Sequence, residues 1–322
     1  MNEFELIARL TKSLPANPNV VTGAGDDCAV LDLGAQDKLI LFKTDAVVEG
    51  VHFTKDTPPE QIGRKALARC LSDIAAMAGT PVAALVTLGL PEKFKPEFVA
   101  KIYDGLNALA EKTGVAIVGG ETTTNAGGIF LSIALLGTVV RGKQILRSGA
   151  KTGDAIFVTG ELGGSLVEKH LEFEPRLEEA RWLAGHFSIH AMIDLSDGLA
   201  SDLRHILKAG GVGAELLKSA IPVSRAAKEA SRNRACQSAE NPPIHIGGYK
   251  PALAAALTDG EDFELLFTVA SRDAVKLLDA WKKKFPKLKL SCIGKIVAGD
   301  GITIRGKTGA QKLNAHGYVH FV

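Results

Sequence analysis

Ala191-Met192-Ile193-Asp194-Leu195-Ser196-Asp197-Gly198-Leu199 runs from an apolar strand into a helix across two carboxylates. The strand is Ala191-Met192-Ile193, and the helix that follows carries Leu199, Leu203 and Ile206 on one face. Strands alternating with helices mark an α/β chain. Asp194 and Asp197, at the junction, read equally well as helix caps and as ligands.

Outward from this junction the alternation continues. Phe4, Ile7, Leu10 and Leu14 open the chain with a short amphipathic helix. Leu39 to Phe42 reads as a strand, and a long helix follows Pro58-Pro59, ending near Gly79. Val82 to Leu90 is a strand; Phe98, Ile102, Leu106 and Leu109 mark a helix stopped by Gly114. Val115 to Val118 and Ile129 to Val140 are strands around a Gly/Thr-rich loop. A polar, glycine-rich break at 141–153 divides the chain into 1–145 and 146–322. The second part opens with strand Ala155 to Thr159 and has further strands at 263–269 and 288–297. Residues 231–248, polar and proline-containing, read as a mobile loop.

At 322 residues the chain is long enough for two domains and a core without disulfides. Thirty-eight basic residues against 36 acidic leave a net charge of +2, which argues against a nucleic-acid or membrane-surface protein. Aromatics at 6% make base-stacking platforms improbable. No apolar run reaches the ~20 residues of a membrane span, and the Met1-Asn2-Glu3-Phe4-Glu5 start is unlike a signal peptide. Cys28, Cys70, Cys236 and Cys292 have no metal or redox spacing, so the expected setting is cytoplasmic with reduced thiols.

Gly301-Ile302-Thr303-Ile304-Arg305-Gly306-Lys307-Thr308 fits the phosphate-loop pattern letter for letter. Its middle alternates apolar and polar like a strand, and no helix pattern follows, so a hairpin turn is expected. The Trp281-Lys282-Lys283-Lys284 run reads as a solvated helix end.

Most information lies in carboxylates set among apolar residues or glycines. Asp26-Asp27 follow Gly25, Thr44-Asp45 end a strand, Asp73 sits inside an apolar helix, and Glu121 follows Gly119-Gly120. Asp194 and Asp197 flank the strand–helix junction, and Glu261-Asp262 precede an apolar strand. Such carboxylates are costly unless compensated, and few basic residues lie near them in sequence. Oxygen-rich clusters without His or Cys suit hard cations, above all Mg²⁺. The glycine loop at 119–128 and the stretch Gly160 to Ser165 would let backbone N–H groups approach phosphates, and Arg147 would neutralise one. The residues therefore point to a Mg²⁺-dependent enzyme of nucleotide or phosphate chemistry.

Five of these elements, in order, resemble the thiamine-monophosphate kinase family. They are Gly25-Asp26-Asp27-Cys28-Ala29, Thr44 to Phe53, Leu71-Ser72-Asp73-Ile74-Ala75-Ala76-Met77, Ile193 to Leu199 and Gly260-Glu261-Asp262-Phe263-Glu264-Leu265. The closing Gly317-Tyr318-Val319-His320-Phe321 is also similar to that family's end. The resemblance implies a two-domain α/β (α+β) fold like that of aminoimidazole ribonucleotide synthetase. The N-terminal sheet would make a homodimer interface, and the C-terminal α/β domain would fold over the nucleotide. It implies transfer of the γ-phosphate of ATP to thiamine monophosphate, with several Mg²⁺ ions. Matching positions would give metal ligands Asp27, Thr44, Asp45, Asp73, Glu121, Asp194 and Asp197. ATP contacts would be Tyr103, Gly120, Arg147 and Ser196, and substrate contacts His52, Glu261 and Tyr318. Lys43, Cys70 and Glu121 depart from the family's usual small hydroxyl, asparagine and aspartate. These departures bear on how many metals bind. They also leave open a related ATP-using enzyme with another substrate, or a non-catalytic nucleotide-binding homologue.

Overall fold

A computed structural model describes residues 3–167, 169–232, 251–315 and 317–318. The first half builds one sheet. Helix α1 (Glu3–Thr11) leads into strands β1 (Val20–Thr22), β2 (Ala29–Leu31) and β3 (Lys38–Val48). Helix α2 (Pro59–Ala76), β4 (Thr80–Leu90), α3 (Pro96–Thr113), β5 (Ala116–Thr124) and β6 (Phe130–Val140) complete it. The strand order is β1-β2-β3-β6-β4-β5. Pro59 and Pro96 sit in the first turns of α2 and α3, where a missing N–H costs nothing. Gly114 ends α3 in the left-handed conformation, φ 73°.

The second half builds a seven-stranded sheet, order β13-β12-β9-β11-β7-β10-β8. Its elements are β7 (Asp154–Thr159), α4 (Lys169–Glu172), α5 (Leu177–His186), β8 (Ile189–Asp194), α6 (Leu199–Gly210) and β9 (Gly213–Leu217). Then come α7 (Arg225–Arg232), α8 (Ala252–Thr258), β10 (Leu265–Ala270), α9 (Ala274–Lys284), β11 (Leu290–Val297), β12 (Ile302–Gly306) and β13 (Gly309–Lys312). Every residue of β7 is buried, as in a strand covered on both faces.

The period-2 pattern of β6 sets the first sheet's sidedness. Leu131, Ile133 and Leu135 are buried against α2, while Leu136 shares the other face with its β3 partner Phe42. Helix α2 is covered nearly all round: it packs on β3, β6, α3, α4, α5 and β8. Polar residues on it are therefore buried too, including Lys65, Ser72 and Asp73. Helices α2 and α3 touch backbone to backbone. A Cβ on Gly105 would stand 1.8 Å from the Glu60 carbonyl oxygen, so only glycine fits there.

Several expectations change at element boundaries. Strand β3 continues to Val48, so Thr44 and Asp45 lie inside it rather than at its end. Pairing with β6 along the whole of Lys38–Val48 carries it past its charged residues. Gly119 and Gly120 belong to β5, not to a loop. A Cβ on Gly120 would stand 1.8 Å from the Val86 carbonyl oxygen, so glycine there permits close pairing with β4. Residues 301–308 form the β12–β13 hairpin and not a phosphate loop. Neither Asp194 nor Asp197 caps α6; the Asp202 carboxylate accepts the Asp197 and Gly198 N–H groups instead. Most of the 231–248 stretch, and Cys236, lie outside the described residues.

Candidate active site

The junction of the two halves gathers the carboxylates. Asp194 ends β8, Asp73 lies on the last turn of α2, and Asp27 precedes β2. One carboxylate oxygen of each lies within 4.8 Å of the others. All three are buried. Burial pushes Asp194 up to about 7, helped by the Asp27 charge and opposed by the Ser72 hydroxyl, Lys43 and Arg147. Burial likewise raises Asp73, although Lys43 pulls the other way. Beside the cluster, burial and the neighbouring Asp27 raise Asp26 to about 6.

Basic groups distant in sequence meet these carboxylates, contrary to the local reading. The Lys43 Nζ donates to Asp73 Oδ1 at 2.8 Å. Arg147 grips Asp27 with Nη2 at 2.8 Å and Nε at 3.4 Å, and its backbone N–H donates to Asp26. Burial opposes the Lys43 charge, but Asp73 and Asp45 outweigh it and the ammonium stays protonated. Two of the three cluster carboxylates thus carry a resident cation, and among the described residues Asp194 has only the Ser72 hydroxyl as a direct partner.

A cavity of about 230 Å³ opens next to the cluster. Its lining includes His52, Lys65, Arg69, His170, Ser196, Asp197, Glu261 and Tyr318. His52 Nδ1 accepts the Val48 N–H at 3.1 Å, so the neutral ring carries its proton on Nε2. Glu261 pairs with Lys65, with Arg69 at 2.8 Å and with His170 at 3.4 Å. Burial works against the Glu261 charge, but Lys65, His170 and Arg69 outweigh it and hold it well below the usual carboxylate range. Glu261 and Phe263 both adopt left-handed backbone, φ 56° and 49°. That rare geometry turns Glu261 toward α2 and keeps Asp262 buried on the other side. The Phe173 ring stacks on Phe263, centroids 3.9 Å apart.

The chain matches two family models: AIR synthase related protein, N-terminal domain, over residues 25–139, and its C-terminal domain over 151–307. A thiamine-monophosphate kinase of Rhodopirellula baltica is 39% identical over 311 residues, covering 94% of this chain and 92% of that one. The chain belongs to the thiamine-monophosphate kinase family. The Salmonella typhimurium member is 37% identical, covering 83% of this chain and 82% of its own. A solved structure, AaThiL complexed with AMPPCP and TMP, superposes with TM-score 0.79 at 29% identity, covering 99% and 97% of the two chains.

The positions carried over from the family divide into groups. Asp27, Asp73 and Asp194 come together, with Arg147 on Asp27. His52, Ser196, Asp197, Glu261 and Tyr318 share the cavity. Asp45, on β3, is bridged to that cavity by Arg69. Burial raises Asp45, but Arg69 and Lys43 outweigh it, and the net shift is downward. Thr44 and Glu121 lie elsewhere. Thr44 alternates with Asp45, so it faces the outer side of the sheet, where its hydroxyl meets Ser132 at 3.3 Å. Glu121 and Gly120 are exposed on β5, and Tyr103 is half-buried on α3. The backbone N–H groups of Gly163 and Gly164 are occupied by Asp262 and Asp259 rather than open to a phosphate.

Lys65, Arg69 and His170 are cavity residues that the sequence reading passed over. Lys65 lies within the helix that follows Pro58-Pro59, where a lysine ordinarily points to solvent. Its four-residue spacing from Arg69 put the two cations on one helix face, which was the one available signal.

Proposed function

We propose that the chain transfers the γ-phosphate of ATP to thiamine monophosphate, giving thiamine diphosphate and ADP. One observation carries this reading. A buried three-carboxylate cluster adjoins a cavity lined by the residues that the family's motifs assign to substrate.

The donor set fits Mg²⁺. It is all oxygen, its carboxylates lie within 4.8 Å, and burial raises Asp194 and Asp73 in spite of Lys43, so a further cation would favour their charged forms. Asp27, Asp73 and Asp194 would hold the ion, which supplies positive charge against the phosphates of both reactants. Lys43 contributes a positive charge to the same cluster from within the chain, so fewer ions are needed than the family's full ligand set would hold.

The acceptor oxygen belongs to a phosphate and is already ionised, so no strong general base is required. The cavity agrees: its histidines are engaged with the Val48 N–H and with Lys65, rather than poised against a nucleophile. The buried thiols of Cys28 and Cys70 are pushed up by burial and stay protonated. The chain's own work is to bind, orient and neutralise. His52 and Tyr318 would bracket the organic part of the acceptor, the tyrosine ring facing a cationic heterocycle. Ser196 and Asp197, on the turn after β8, would mark the boundary with the nucleotide.

We also propose a homodimer formed through the outer face of the first sheet. Phe42 and Leu85 stand half-exposed there, with Leu136 between their strands. Among the described residues no helix is long and apolar enough to cross a membrane; a cytoplasmic setting is part of this proposal.

The test combines purified protein, ATP, Mg²⁺ and thiamine monophosphate, with thiamine diphosphate read by chromatography and EDTA as control. EDTA-sensitive product is expected. ATP binding without product would move the reading to another acceptor or to a non-catalytic homologue.

A further inference from the structure

Arg69 has no place among the family positions carried over above, yet it is the side chain that joins the two parts of the site. It leaves α2 one turn before Asp73 and lines the cavity. Its Nη1 donates to Glu261 Oε1 at 2.8 Å, and its Nη2 approaches Asp45 Oδ1 at 3.4 Å. The guanidinium carbon lies 5.9 Å from the Phe263 ring centroid. The Arg69 Nε is buried and has no hydrogen-bond partner among the described residues.

A guanidinium offers five N–H donors in a planar fork. Here one bond is strong, one is long, and a buried donor is unmet. Leaving a buried donor unmet is unfavourable. That Nε is closed off from the cavity, so a ligand there would meet the Nη2 side of the fork, where the bond to Asp45 is long. Lys65 is not a rival for that ligand, because its ammonium already serves the His52 carbonyl, His170 and Glu261. Glu261 is therefore neutralised twice over, and its carboxylate holds the Arg69 fork in place. A doubly charged phosphomonoester matches such a fork in charge and in offering two adjacent acceptor oxygens. A neutral alcohol in the same place would match none of these.

We propose that Arg69 is a specificity-determining residue that recognises the phosphate of the acceptor and so separates it from its unphosphorylated form. The inference rests on the kinase reading and adds a discriminating residue to it. Metal ions neutralise any phosphate; a fixed fork on the cavity wall selects a ligand that brings one.

The experiment is calorimetric titration of thiamine monophosphate and of thiamine into the wild type, Arg69→Gln and Arg69→Lys. Thermal unfolding of each protein is recorded alongside. The wild type should bind the phosphorylated ligand more tightly. Arg69→Gln should lose at least about tenfold of that preference, one charge-assisted bond's worth, with thiamine affinity held within twofold. Arg69→Lys should keep part of the preference, because it retains charge without the fork. An unchanged preference in Arg69→Gln, or equal weakening of both ligands, overturns the proposal and leaves Arg69 a scaffold cation. If Arg69→Gln does not fold, a wild-type preference in Arg69→Lys overturns it equally. A wild type that binds neither ligand overturns the kinase reading, and this inference with it.

Discussion

Asp194 and Asp262 are both buried carboxylates raised to about 7, and they differ in what surrounds them. Asp194 faces two other carboxylates; Asp262 accepts the Gly163 N–H and the Ser165 hydroxyl and is buried away from the cavity. Replacement of Asp194 by Asn should cut Mg²⁺-dependent turnover by about 10²–10³-fold, the scale of one preorganised electrostatic group. It should not lower the melting temperature, because a costly buried charge is removed. Steady-state kinetics with unfolding scans checks both, and full turnover would sink the metal assignment. For Asp262 the expected effect is on pH dependence. Below about pH 4 the carboxyl is protonated in both folded and unfolded chains. Between there and about 7 the folded chain keeps a proton that the unfolded chain has released, so stability falls as pH rises. The shift corresponds to at most a few kcal/mol. Asp262→Asn should flatten the fall in melting temperature from pH 5 to pH 8. Equal slopes in the two proteins would show that Asp262 does not titrate in this range.

At the scale of elements, α2 holds the molecule together because two glycines let it sit unusually close to α3. Gly105 abuts Glu60, and Gly63 abuts the Ile102 carbonyl at 1.8 Å from where a Cβ would be. Alanine is the better helix former by ~1 kcal/mol, but here its methyl group would part the two helices. Gly105→Ala should destabilise by at least about 2 kcal/mol, the range of overpacked cores. Urea unfolding measures it, and a gain in stability would contradict the close-contact reading. Glu264 plays the corresponding part in the second half. Buried beside β10, it accepts from Lys169 of α4 at 2.8 Å, from Arg176 through two bonds of 2.8 Å and from Thr159 of β7 at 2.7 Å. Removing Glu264 itself would leave Lys169 and Arg176 facing no carboxylate there, so this network fastens the α4 wall of the cavity to the sheet.

On the scale of the whole molecule, one sheet face is covered by α2 and the other is not. Phe42 and Leu85 are each 47% exposed on that second face. The dimer proposed above would cover it. Leu85→Glu should shift the protein from dimer toward monomer in sedimentation velocity. The Asp27–Asp73–Asp194 cluster belongs to the opposite, covered face, so binding of Mg²⁺ should persist in that variant. A wild type that sediments as a monomer at all concentrations would remove the dimer.

The elements were largely legible in sequence because their causes are local. Apolar residues at period 3.6 or 2, proline at a first turn and glycine past a last one each act within a few residues. The same locality exposed the residues 301–308 hairpin behind a phosphate-loop pattern. It also picked out the acidic motifs, since a carboxylate beside an apolar run needs a reason wherever it occurs. Sequence alone therefore determined the α/β class, the candidate carboxylates and the family resemblance. Only the tertiary structure decided which of them meet, and what cations they meet. Lys43 reaches Asp73 across 30 positions, Arg147 reaches Asp27 across 120, and Arg69 reaches Glu261 across 192. No local pattern encodes those pairs. They follow from packing α2 between the two halves, which buries its polar residues and leaves each charge to be matched by whatever the opposite wall presents.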